Sequence, residues 1–124
     1  ADSVDNYGVI NALADPIMSR IIGIMDQEPT RRWTVAELAR AVGMSRSAFA
    51  NRFASRLGSP PLTYLTQRRL DKARSALADG AEPMIEVAHN AGYGSEGAFG
   101  LAFKKRFGIS PARYRTRHRT VLDG

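Results

Sequence analysis

Residues 34–64 read TVAELARAVGMSRSAFANRFASRLGSPPLTY, and residues 83–114 read PMIEVAHNAGYGSEGAFGLAFKKRFGISPARY. Laid over one another, the two stretches repeat. Ala39 and Gly43 answer to Ala88 and Gly92. Past one inserted residue in the second copy, Ser45, Ala48, Phe49, Phe53, Arg56, Gly58, Pro61 and Tyr64 answer to Ser95, Ala98, Phe99, Phe103, Arg106, Gly108, Pro111 and Tyr114. A unit of about fifty residues is therefore present twice. Two copies are too few for a solenoid, but they make two equivalent modules.

Each copy spells a short helix, a glycine turn and a longer helix. In the first, Thr34 and Glu37 form a capping box that opens a helix with Leu38, Ala39 and Val42 inward. Gly43 ends it. Ser45 caps a second helix that runs to Leu57, with Phe49, Phe53 and Leu57 at i, i+4, i+8, and Gly58 stops it. In the second copy Pro83 starts the short helix, with Ile85, Ala88 and Ala91 expected inward, and Gly92 ends it. Ser95 then caps a helix carrying Phe99, Phe103 and Phe107, stopped by Gly108. This is the helix-turn-helix pattern, in which the first helix braces a second whose N-terminal side chains can reach base edges in a major groove.

Working outward, Asp15-Pro16 reads as an N-cap followed by proline at the first helical position. It opens a helix with an apolar stripe of Ile17, Ile21, Ile22 and Met25 that stops near Glu28-Pro29. Ser59-Pro60-Pro61 begins a long helix to about Asp79, with Leu62, Leu65, Leu70, Ala73 and Leu77 as its core positions. Ser110-Pro111 begins a last helix to about Arg119, and no segment reads as a strand. The expectation is an all-α chain of about seven helices. Residues 1–14 form a tail or linker. Residues 15–124 form the folded part, divided into a first unit (15–58), a connector helix (59–80) and a second unit (81–119).

Charge narrows the function. The net charge is +6 and the isoelectric point about 10.3. Residues 1–30 hold five acids and one base, whereas the remainder holds seventeen bases and seven acids. A basic body behind an acidic leader suits a polyanionic partner. The chain has no cysteine, which excludes disulfides, thiol catalysis and cysteine-ligated zinc. With two histidines, a metal cage is not expected, and no cofactor is. No apolar run reaches membrane-spanning length and no leader pattern is visible, so a cytoplasmic protein without a membrane partner is expected.

The residues also carry a family resemblance. VAELARAVGMSRSAFANRFASRLGSPPLTYL resembles the first helix-turn-helix of the AraC/XylS family of bacterial transcription regulators. IEVAHNAGYGSEGAFGLAFKKRFGISPARYR resembles its second, above all in the ending FKKRFGISPARYR. The similarity spans roughly residues 15–119. It implies a monomer that lays two recognition helices into successive major grooves of double-stranded promoter DNA. It also implies a separate sensing domain N-terminal to this one, and an intact regulator, such as an activator, that touches RNA polymerase.

Helical geometry selects the candidate readers. The face opposite Phe49, Phe53 and Leu57 carries Ser47, Asn51 and Ser55, with Ala50 beside it. Asn51 can pair an adenine bidentately, and Ala50 can pack on a thymine methyl. Arg46 suits a guanine or a phosphate. The family's base-contacting positions fall on Ser47, Ala50 and Asn51 as well. In the second unit the corresponding face carries Gly97 and Leu101, with Glu96 beside them, which departs from the polar reader that the family often has where Leu101 stands. Either Leu101 touches a thymine methyl, or this helix mainly holds the DNA backbone through Lys104, Lys105 and its N-terminus; the second is favoured. Ser45, Arg52 and Ser95 complete the expected phosphate contacts. Glu96 also has a local explanation in the helix dipole.

Other features weigh less. Gly92-Tyr-Gly94-Ser-Glu-Gly97 matches a dinucleotide fingerprint in letters only, since a helix and not a strand precedes it. His89 and His118 lack partners for catalysis, so no enzyme is expected; His89 reads as a structural or surface residue. The arginines 113, 115, 117 and 119 read as a solvated face. Arg68, Arg69, Lys72 and Arg74 on the connector read likewise, with Asp71 pairing one of them. A protein-interaction module is the rival reading, with the acidic leader and Leu101 as its docking features.

Overall fold

The computed structural model describes residues 15–123, with side chains to His118. The expected linker, 1–14, and the side chain of Arg119 lie outside the described residues. Among the described residues there are seven helices and no strand: α1 (Pro16–Gln27), α2 (Val35–Ala41), α3 (Arg46–Leu57), α4 (Pro61–Asp79), α5 (Met84–Asn90), α6 (Glu96–Phe107) and α7 (Pro111–Asp123). The last helix runs beyond the expected stop near Arg119, because no glycine or proline interrupts it before Gly124.

The chain divides into two compact units: the boundary along the chain falls between Thr66 and Gln67, and Pro29–Arg31 belongs to the second unit. The first unit packs α1, α2, α3 and the start of α4 around Met18, Ile21, Met25, Leu38, Ala39, Phe49, Phe53 and Leu65. The second packs the rest of α4 with α5, α6 and α7 around Leu70, Ala73, Leu77, Val87, Ala88, Ala91, Phe99 and Phe103. The four phenylalanines are fully buried, and each contributes about 1.5–3 kcal/mol by leaving water.

The duplication extends to ring geometry and caps. Phe49 and Phe53 stand 5.8 Å apart, and Phe99 and Phe103 5.6 Å, both tilted at 56°. Tyr64 meets Phe53 edge-on at 5.3 Å, as Tyr114 meets Phe103 at 5.9 Å. The turn between the two helices of each hairpin is closed by the same bond, Met44 N–H to Ala39 C=O in one and Tyr93 N–H to Ala88 C=O in the other, each 3.0 Å. It passes through Gly43 (φ +68°) and Gly92 (φ +91°), a region that a β-carbon makes costly.

Three apolar expectations are corrected. Leu62 and Ile85 are exposed. In α4 the inward row starts at Pro61 and Leu65, one turn apart, which leaves Leu62 outside. In α5 the inward arc is Val87, Ala88 and Ala91, and its small residues let this short helix approach the core closely. In α1, Met18 takes the buried place beside Ile21 and Met25, while Ile17 and Ile22 are half-buried at its margin.

The connector's charges are also placed differently from expectation. Asp71 pairs with Arg106 of α6: Nε and Nη2 donate to its carboxylate at 2.9–3.0 Å. The Arg74 guanidinium lies over the Phe107 ring, 4.6 Å from its centroid. Arg69 is half-buried and donates to the Arg31 carbonyl at 2.7 Å. Burial holds its pKa below the usual arginine value and pushes the neighbouring Tyr93 phenol up.

Candidate nucleic-acid interface

The two longer helices of the hairpins, α3 and α6, are twelve residues each and are built alike. Ser45 Oγ accepts the Ala48 N–H at 3.2 Å, and Ser95 Oγ accepts the Ala98 N–H at 3.1 Å. Each helix ends at a left-handed glycine, Gly58 (φ 81°, ψ 3°) or Gly108 (φ 77°, ψ 4°). The start, end and buried stripe of both are thus fixed, and one face is left outward. The remaining N–H groups of a first turn point out of the helix end, where an anionic oxygen is favoured.

On α3 the outward face is as the spacing indicates. Arg46, Ser47 and Asn51 are exposed, and Ala50 is half-buried beside them. Ser45 is exposed too, with its oxygen committed to the cap and its hydroxyl hydrogen still available for donation. On α6, Glu96, Gly97, Lys104 and Lys105 are exposed, and Leu101 is 76% exposed. Glu96 sits in the first turn, where the helix dipole favours it. A β-carbon at Gly100 would meet nothing within 4 Å, and at Gly97 only the Ser95 hydroxyl at 3.9 Å. The α6 face is therefore low, with Leu101 as its one large side chain and lysines at its far end.

Arg52, expected at phosphate, is paired within the protein. Its Nε and Nη2 donate to the two oxygens of Asp15 at 2.8 and 2.9 Å, and Arg56 Nε lies 3.4 Å from the same carboxylate. Asp15 is 4% exposed and also caps α1 through the Ile17 and Met18 N–H groups. The Arg52 hydrogen bonds, against the opposing effect of burial, hold the Asp15 pKa below its usual 3.8. The same bonds raise that of Arg52. The sequence marked Asp15 as a cap, but a partner 37 residues away leaves no local signal.

Elsewhere, Ser110 Oγ accepts the Arg113 N–H at the start of α7. Arg113 and Arg117 are exposed beside Ala112 and Thr116, whereas Arg115 is half-buried. His89 is exposed on α5. The glycine pattern 92–97 falls on the α5–α6 turn and the first residues of α6. Among the described residues, no helix is long and apolar enough to cross a membrane.

Comparisons with known proteins agree with this geometry. A family model described as a helix-turn-helix domain matches residues 38–117. A putative AraC-like transcription regulator of Streptomyces antibioticus is 42% identical over 108 residues, covering 87% of this chain and 36% of the relative. RclR of Escherichia coli K12, an RCS-specific transcriptional activator, is 36% identical over 113 residues, covering 91% and 40%. The chain thus spans less than half the length of these relatives. The DNA-binding domain of AdpA, a global transcriptional factor solved with a target DNA, superposes with a TM-score of 0.77 at 32% identity, covering 86% of this chain and 95% of that one. An AraC-type regulator of Chromobacterium violaceum shares the fold, with a TM-score of 0.78 at 23% identity. The duplicated hairpins, their matched caps and these likenesses together make this chain a member of the AraC-type helix-turn-helix family of transcription regulators.

Proposed function

We propose that this chain is the DNA-reading part of a transcription regulator and binds promoter duplex sequence-specifically, with α3 and α6 entering successive major grooves. The observation that carries the reading is the pair of capped helices, each locked from behind by buried phenylalanines, with exposed first turns on a chain of net charge +6. Its likeness to a domain solved with DNA supports the same reading. On α3, Asn51 pairs a base edge, with Ser47, Ala50 and Arg46 around it. On α6 the absence of hydrogen-bonding side chains at 97 and 101 favours backbone holding. Lys104, Lys105 and the N-terminus next to Ser95 meet phosphate, and Leu101 and Glu96 tune the fit. The domain binds as a monomer in the cytoplasm. In the intact regulator it works beside a sensing domain and RNA polymerase.

The test is fluorescence anisotropy with a duplex selected from a random pool and with its scrambled counterpart, over a range of salt. The expected result is tighter binding to the selected duplex, with log affinity falling against log salt by about 0.9 per phosphate neutralised. Absence of binding to any duplex at low salt would overturn the reading and bring forward a protein-docking role.

A further inference from the structure

Each long hairpin helix is tied to the helix that precedes its hairpin by an aspartate and an arginine. In the second unit, Asp71 of α4 receives Arg106 of α6. In the first, Asp15 at the head of α1 receives Arg52, with Arg56 close by. Arg56 and Arg106 hold the same place in the repeat, but the aspartates do not: one caps a helix and the other lies within one. The same kind of tether is thus made twice from different positions.

The first tether is the more enclosed. Capping α1 needs only an oxygen near the Ile17 and Met18 N–H groups, and serine or asparagine caps a helix as well as aspartate does. The Asp15 carboxylate does more. Its two oxygens meet the planar fork of Arg52, a geometry that fixes direction as well as distance. On α3 the row Ala48, Arg52, Arg56 runs between the buried phenylalanines and the outward row Ser47, Asn51, Ser55. A guanidinium held in that row, one residue from Asn51, fixes the rotation of α3 about its own axis.

Resting on the DNA-binding reading above, we propose that Asp15 is a positioning residue for DNA recognition: its buried carboxylate, forked onto Arg52, sets the rotation at which α3 presents Ser47, Ala50 and Asn51, and keeps the Arg52 charge off phosphate. Discrimination between sequences then depends on this buried pair, and general attraction to DNA is lower than the count of arginines implies.

The test compares the full chain with its Arg52→Met and Asp15→Asn variants on selected and scrambled duplexes across salt, with thermal unfolding alongside. Arg52→Met leaves the salt slope as it is, since Arg52 is off phosphate, and lowers the selected-to-scrambled ratio by about tenfold, the scale of one base contact. Asp15→Asn retains a cap but frees Arg52. It steepens the slope by about 0.9, tightens binding to scrambled duplex and lowers the ratio. A slope flattened by about 0.9 in Arg52→Met would place Arg52 on phosphate and overturn the proposal. So would an unchanged ratio in a folded variant that has only a lower melting midpoint. If Asp15→Asn does not fold, Arg52→Met decides alone. A native chain that binds no duplex sinks the DNA-binding reading, and this inference with it. A native chain that discriminates, combined with either adverse variant result, sinks this inference only.

Discussion

Gly92 lies in the turn of the second hairpin and Gly100 within the helix that follows it, yet alanine is expected to act oppositely at the two. Gly100 lies inside α6, and a β-carbon there would touch nothing within 4 Å. Its counterpart in the repeat is Ala50, at the same place on α3. Alanine gains what glycine forfeits in a helix, so Gly100→Ala stabilises the chain by about 0.5–1 kcal/mol. For a unit of this size that raises the melting midpoint by about 2–8 °C. Gly92 stands at φ +91°, and its β-carbon would lie 3.2 Å from Arg69 Nη1. Backbone strain of this kind costs about 1–3 kcal/mol, and the half-buried Arg69, which holds the Arg31 carbonyl, must also shift. Gly92→Ala therefore lowers the midpoint by at least as much as Gly100→Ala raises it. Urea unfolding followed by circular dichroism reads both, with the slope of the transition checking that the change is one of stability. A destabilised Gly100→Ala, or a Gly92→Ala indistinguishable from the parent, would refute the reasoning from these backbone angles and contacts.

Two further outcomes follow from the same structure. Asn51→Ala flattens base preference at one position, at a cost of about 1–3 kcal/mol toward the selected duplex, whereas Leu101→Ala changes the preference little; binding profiles over single-base substitutions check both, and a larger effect at Leu101 would reverse the assignment of the two helices. Because the folded-state pKa of Asp15 is depressed below 3.8, its contribution to stability is present above the unfolded value and is lost as pH falls through the folded one; acid titration of the melting midpoint should show a fall below about pH 4 that is smaller in Asp15→Asn, and identical curves would remove the pair from the acid response.

The sequence legible by itself was the repeated kind. Serine and glycine at fixed offsets, and phenylalanines four apart, are local signals: each residue acts on backbone groups or a helix face within a turn or two of itself. They sufficed for seven helices, two hairpins and the exposed face of α3. Inference failed wherever the partner lay far along the chain. Leu62 and Ile85 fit an apolar period, but only the neighbouring helices decide which arc of a helix is covered. The Arg106 of α6 that forks onto Asp71 lies 35 positions along the chain, and a fork needs a guanidinium arriving at the right angle and not merely the right charge. Arg52 reads as a phosphate contact in a basic helix, and its pairing with a carboxylate 37 positions earlier has no local signal. Periodicity and caps thus determined which segments are helices and how each begins and ends. Tertiary packing alone decided which charges are spent inside the protein and which face outward, because pairing depends on distances in space that sequence separation does not encode.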